Sequence, residues 1–205
     1  MRKIAVILSL TLLLGLLAGC QGEEQQQETE GSSLNVQTTT LSGDAFTAAD
    51  FADNKLTVFN VWATWCPPCV AELPHLQKVS EEFREDGVAV IGVLQDGVTE
   101  MGESDADAIA SANTLLEDAG VDYPVILPDA TLQQTFIRTM QYFPTTFFVD
   151  AEGNVIKRVE GAREYEDWRK LIQETLEEMD GQNAAFPGTA DCDRCFSVGC
   201  RDLPR

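Results

Sequence analysis

The stretch Trp65-Cys66-Pro67-Pro68-Cys69 constrains this chain more than any other feature. It follows the almost unbroken apolar run Leu56–Ala63 and precedes a segment with helical spacing. A run of that kind fits a central parallel strand buried on both faces. Strand, short turn, Cys-x-x-Cys and helix is the setting in which two thiols read as a redox motif. The placement has a chemical reason. The thiolate is the nucleophile, and a helix N-terminus supplies free N–H groups and the positive end of a dipole, both of which lower a thiol pKa. Pro67 suits the first turn, where its missing N–H is not needed. Half of a zinc site, or a structural disulfide, is the competing reading. Zinc needs a second ligand pair, and none is evident around residues 66–69.

Around this motif the pattern alternates strands with helices, which places the chain in the α/β class. Val36–Thr40 and Ala45–Thr47, separated by Ser42-Gly43-Asp44, predict an N-terminal β-hairpin. A helix is predicted from about Pro67 to Glu85, kinked at Pro74. Val88–Leu94 is the next buried strand. Ser104-Asp105-Ala106-Asp107 resembles a capping signal for a helix carrying Ile109, Ala112, Leu116 and Ala119, ended by Gly120. A short strand over Tyr123–Leu127 and a short helix over Ala130–Thr139 follow. Thr145–Asp150 and Asn154–Glu160 flank a turn at Ala151-Glu152-Gly153 and predict a second hairpin. Glu164–Met179 closes the domain as a helix with Tyr165, Trp168, Ile172, Leu176 and Met179 on one face.

The matching stretches Asn60–Cys69, Glu72-Leu73-Pro74 and Phe143–Asp150 together resemble the thioredoxin superfamily. Within it they are similar to the exported, membrane-tethered TlpA/ResA-like thiol-disulfide oxidoreductases. The resemblance covers about residues 35–180. It implies a thioredoxin-like fold: a central mixed sheet flanked by helices, preceded by the N-terminal hairpin. It implies a redox-active disulfide between Cys66 and Cys69, with Cys66 as the more exposed, attacking thiol and Cys69 as the resolving thiol. Trp65 is a wall beside that disulfide in such proteins, or simply a packed aromatic. Phe143-Pro144 resembles their cis-proline loop, which would lie across from Cys66 and, with Trp65, Pro67 and Pro68, line the substrate groove. Glu72 lies three residues after Cys69 on the same helical face. The resemblance ties it to cysteine proton transfer; a solvated helix glutamate is the plain alternative. Asn60 stands where many cytosolic thioredoxins carry a buried aspartate. His75, the single histidine, reads as an exposed helix residue.

The ends add an address. Arg2 and Lys3 precede the apolar run Ile4–Ala18, shorter than the ~20 residues of a spanning helix. The run ends in Leu17-Ala18-Gly19-Cys20, which resembles a bacterial lipobox, with residues 1–19 removed and Cys20 lipidated. Residues 20–33 are that cysteine and the stretch Gln21–Ser33, which carries no aliphatic or aromatic side chain and reads as a tether, roughly 40 Å when extended. Residues 34–180 form one domain, and 181–205 a cysteine-containing tail. A net charge of −20 disfavours nucleic acid as a partner.

The tail falls outside the resemblance. With Cys20 acylated and Cys66 paired to Cys69, the thiols of Cys192, Cys195 and Cys200 remain. A local disulfide with one spare thiol, a second redox pair serving Cys66-Cys69, and metal binding all stay open. A c-type haem site needs histidine where Phe196 stands. No cofactor or metal is expected at the main site. The expected protein is a lipid-anchored extracytoplasmic oxidoreductase that reduces disulfides of exported proteins, such as apocytochrome c or a methionine sulfoxide reductase. Its electrons would come from a membrane thiol carrier of the CcdA/DsbD type. A thioredoxin-fold peroxidase and a metal-delivery lipoprotein using the tail thiols are the rival classes.

Overall fold

The computed structural model describes residues 33–185, with side chains to Gly181. Cys20, Cys192, Cys195 and Cys200, the leader and the tail after Ala185 lie outside the described residues. Seven β-strands and four α-helices follow in the order β1 (Gln37–Thr39), β2 (Ala45–Thr47), β3 (Leu56–Trp62), α1 (Pro67–Glu82), β4 (Val88–Leu94), α2 (Ala106–Ala119), β5 (Val125–Ile126), α3 (Ala130–Thr135), β6 (Thr145–Asp150), β7 (Val155–Glu160) and α4 (Tyr165–Ala185). The main sheet has the order β5-β4-β3-β6-β7, and β1 and β2 form a separate antiparallel pair.

Every residue of β3 is buried. It lies parallel to β4 and antiparallel to β6, which is the mixed sheet expected. Alternation along β3 divides the core into two layers. Leu56, Val58 and Trp62 face α1, α2 and α4, packing with Leu73, Leu76, Leu116, Trp168 and Ile172. Phe59 and Val61 face the other side, against Phe46 and Phe51 near the hairpin and Leu132 and Phe136 around α3. Asn60 falls in the even-numbered series, so the parity of the strand aims a polar amide at the helical layer that contains Glu72.

The hairpin joins the sheet at its β5 edge, where Leu41 N–H donates to Val125 O at 2.8 Å. The turn between β6 and β7 uses Asp150, whose side chain accepts from the amides of Glu152 and Asn154, with Gly153 at φ 81°.

Several element bounds differ from the sequence expectation. Helix α1 ends at Glu82 and gives way to a 3-10 turn over Arg84–Asp86, closed by Gly87 in the left-handed region. It runs through Pro74, which leaves the Val70 carbonyl without its usual i+4 donor. The strand predicted over Tyr123–Leu127 pairs only at Val125 and Ile126. Pro124 has no N–H for a ladder; its carbonyl accepts from Gly92 instead. The helix predicted over Ala130–Thr139 breaks at Phe136 into α3 and a 3-10 turn, Ile137–Thr139. The last helix passes Met179 and continues through Gly181 to Ala185, with Asp180 2.7 Å from Lys55 Nζ. No helix among the described residues is long and apolar enough to cross a membrane.

Candidate active site

The chain leaves β3 at Trp62 and enters α1 at Cys66, the N-cap residue. Cys66 and Cys69 are joined by a disulfide that spans the first helical turn. Cys66 is the more exposed of the two, but only at 3 % against 1 %. The expectation of an exposed attacking thiol is corrected in degree, because the closed disulfide packs both cysteines into the main core cluster. Pro67 and Pro68, both exposed, fill the first two helical positions. The usual supply of free amides at a helix start is therefore thinned. Neither proline has an N–H, and the Cys66 amide already donates to Ala63 O at 3.2 Å. Of the first three helical positions, only Cys69 carries an N–H.

The approach to the disulfide is clamped from the 3-10 turn Gln95–Gly97 that follows β4. Asp96 accepts from the Thr64 amide, 3.2 Å to each carboxylate oxygen, and from the Thr64 hydroxyl. Trp65, next in sequence, is 61 % exposed and sets its ring edge-on to Phe143, 5.6 Å between centroids. The Phe143-Pro144 peptide bond is cis. The antiparallel register of β6 on β3 pairs Thr145 with Val61, so the residues just before β6 come to lie beside the end of β3. This register brings Phe143 and Pro144 to the cysteine turn from a distant part of the chain. Pro144 O accepts from Gly161 N–H at 2.9 Å, and Thr145 Oγ1 donates to Tyr142 O at 2.7 Å. Tyr142 is 59 % exposed and extends the aromatic rim that Trp65 and Phe143 begin.

Glu72 is buried at 1 % exposure, which removes the solvated alternative. Its Oε1 accepts from Arg163 N–H at 2.7 Å and from Trp168 Nε1–H at 2.9 Å. Its Oε2 accepts from Asn60 Nδ2 at 3.2 Å, and the same amide donates to Thr146 Oγ1 at 2.9 Å. Burial pushes the Glu72 carboxyl up to about 7, against the opposing pull of the Arg163, Trp168 and Asn60 hydrogen bonds and the Arg163 charge. A carboxyl poised there can exchange a proton at neutral pH.

His75 has a structural partner set. Its Nδ1 accepts from the Tyr165 amide at 3.2 Å and its Nε2 lies 3.1 Å from Glu164, so it braces the start of α4. Among the described residues no group of three His, Cys, Asp or Glu side chains could hold a metal. The residues brought together are thus Trp65, Cys66, Cys69, Glu72, Phe143 and Pro144. Sequence reasoning missed the donors that hold Glu72: the Arg163 amide and the Trp168 indole. The spacing of the last helix puts Trp168 on its apolar face, and only its indole N–H, a donor that seeks a partner when buried, signals a polar contact.

A buried helix-start disulfide, an aromatic-lined proline turn opposite it, and a titratable carboxyl beneath it define a thioredoxin-like redox site. The AhpC/TSA family model matches residues 31–158, and the chain belongs to that family, as a thiol-disulfide oxidoreductase of the ResA/DsbE type. It is 26 % identical over 172 residues to the thiol-disulfide oxidoreductase ResA of Bacillus cereus, covering 83 % of this chain and 91 % of the relative. It is 32 % identical over 116 residues to the thiol:disulfide interchange protein HelX of Rhodobacter capsulatus, covering 57 % of this chain and 58 % of HelX. The crystal structure of a thioredoxin-family thiol:disulfide interchange protein from Chlorobium tepidum superposes with a TM-score of 0.59 at 25 % identity, over 72 % of this chain and 97 % of that one.

Proposed function

We propose that this protein is a membrane-anchored extracytoplasmic reductase of disulfides in exported proteins, working through the dithiol form of Cys66 and Cys69. The Cys66 thiolate attacks a substrate disulfide, forming a mixed disulfide and releasing one substrate thiolate, which takes up a proton. Cys69 then gives its proton to Glu72, and its thiolate attacks the Cys66 sulfur. That restores the Cys66–Cys69 disulfide and releases the second substrate sulfur as a thiolate, which takes up the proton that Glu72 gives back. The pair has lost two electrons and the substrate has gained two. A membrane thiol carrier of the CcdA/DsbD type would return them. Trp65, Pro67, Pro68, Phe143 and Pro144 line the groove in which an extended substrate segment pairs with the backbone beside Phe143. Apocytochrome c and methionine sulfoxide reductases are the substrate classes the resemblance implies. Cys20 carries the lipid, and residues 21–33 give the domain its reach.

The observation that carries this reading is the buried Glu72 carboxyl, held near neutrality one turn below the disulfide. A resolving thiol enclosed by protein needs a local proton acceptor, and a peroxidase acting through one unpaired thiol does not. The test is reduction of insulin by the purified full-length protein with dithiothreitol as electron source. Cys66→Ser is expected to abolish it. Retained activity in that variant moves the chemistry to the tail thiols Cys192, Cys195 and Cys200, and overturns the proposal. Cys20→Ala is expected to shift the protein out of the membrane fraction; unchanged membrane association sinks the lipid anchor.

A further inference from the structure

We propose that Trp168, on the last helix, is a positioning residue for the redox reaction: with the Arg163 amide it holds one oxygen of Glu72 and leaves the other to carry the proton, as the proton-carrier reading of Glu72 requires. The two carboxylate oxygens are not equivalent. Oε1 takes two donors, Arg163 N–H at 2.7 Å and Trp168 Nε1–H at 2.9 Å. Oε2 takes one, at the longer distance of 3.2 Å, from an Asn60 amide that has Thr146 as a second acceptor. A proton on Oε1 would displace one of two close donors, so it resides on Oε2.

Trp168 is fully buried and cannot leave its place without opening the core. Its ring packs on Phe148, 6.3 Å between centroids, and the Arg163 guanidinium stands 5.6 Å from it. The indole N–H is therefore fixed in direction, and Glu72 must meet it. The same oxygen links the carboxyl to the proline turn. Arg163 N–H is on Oε1, and Gly161, two residues earlier, donates to Pro144 O at 2.9 Å. Glu72 is thus joined to the segment that faces the cysteines by a short run of backbone between β7 and α4.

The charged and titratable groups around Glu72 come from four places. They are Arg163 before α4, Tyr123 before β5, His75 one turn along α1, and the cysteine pair at the start of α1. The Arg163 charge favours the carboxylate. Burial keeps the Tyr123 hydroxyl protonated, far above its usual range.

A protonated carboxyl is a weaker acceptor than a carboxylate, so the hydrogen bond from Trp168 must lengthen when Oε2 binds a proton. The indole N–H reports this directly. The chain has three tryptophans in three settings: Trp65 is exposed, Trp62 Nε1 is buried with no partner, and Trp168 Nε1 is on Glu72. In the 1H–15N spectrum of the oxidised full-length protein in detergent, one indole resonance is expected to move upfield as pH falls, with a midpoint at about 7. The Arg163 amide should move with it, and both movements should vanish in Glu72→Gln.

Trp168→Phe keeps an aromatic ring, though a smaller one, and removes the donor. Loss of a donor to the charged form should raise that midpoint by about one unit and shift the acid limb of insulin reduction upward equally. A role in packing alone predicts lower thermal stability with no change in either pH profile, and that result overturns the proposal. If Trp168→Phe does not fold, the indole titration of the unsubstituted protein still decides. An indole resonance that stays still while the rate profile responds to Glu72→Gln overturns the Trp168 role alone. If Glu72→Gln abolishes the titration but leaves the rate profile unchanged, the proton-carrier reading falls and takes this proposal with it.

Discussion

The Asn60 side-chain amide donates to Glu72 Oε2 at 3.2 Å, from a strand position directly beneath the redox helix. Its second hydrogen goes to Thr146 Oγ1 on β6, the strand that begins just after Pro144. One amide therefore bridges the proton-binding oxygen and the strand that carries the proline turn. An amide in this place is neutral, so Glu72 is the one carboxyl in its buried network.

Asn60→Asp would place a second carboxyl on Glu72 in the core. Two carboxylates at this separation cannot both ionise freely, so one proton would be shared. The acid limb of activity is expected to broaden and to extend above about 7, the value to which burial pushes Glu72 alone. A pH–rate profile identical to that of the unsubstituted protein would show that Asn60 does not sense Glu72.

The raised carboxyl also makes stability depend on pH. The folded state holds the Glu72 proton up to about 7, whereas an ordinary glutamate carboxyl, as in the unfolded chain, loses it at 4.5. Between these values the folded state binds the extra proton, so stability falls as pH rises. The contribution is fully present below about 4.5, is lost by about 7, and amounts to roughly 3 kcal/mol. Denaturant unfolding of the oxidised protein, compared with Glu72→Gln, should show a difference that declines across this window and is level outside it. A flat difference would place the Glu72 carboxyl at its ordinary value.

Pro68 leaves the Cys66 sulfur one potential donor short. Pro68→Ala restores an N–H at the second helical position. A new donor stabilises the thiolate and hence the reduced form, so the reduction potential should rise, by about 30 mV for an interaction of about 1.4 kcal/mol. Glutathione redox titration of the two proteins measures it; an unchanged or lower potential argues against amide control of Cys66.

Asp96 holds the turn that presents Trp65 through three contacts to Thr64. Asp96→Ala leaves a half-buried amide and hydroxyl without their acceptor and is expected to cost about 1–2 kcal/mol. Asp96→Asn, which keeps an acceptor oxygen, should recover part of that loss. Equal stability of all three proteins would reduce the clamp to a surface contact.

Much of this site is local in sequence and was legible there. The run Leu56–Ala63 could only be a buried strand, and a proline-started helix had to follow it. Cys69 and Glu72 occupy one helix that Cys66 caps, so their spacing already places them on neighbouring turns. The Phe143-Pro144 turn was legible only through resemblance, because nothing local ties it to residues about eighty positions earlier. The short elements were read less well. Two-residue β5 and the broken segment around Phe136 depend on which neighbours supply hydrogen bonds, and periodicity does not report that.

The sequence by itself determined the reacting pair, the helix that bears it, and the presence of a glutamate one turn on. Only the tertiary structure decided what that glutamate is. Burial against α4 raises its proton affinity, while Arg163 and Trp168, about ninety residues away, share one of its oxygens. The physical reason lies in range. Helical spacing fixes contacts within a turn or two, but desolvation and the direction of a buried N–H depend on which distant segments the sheet register brings together.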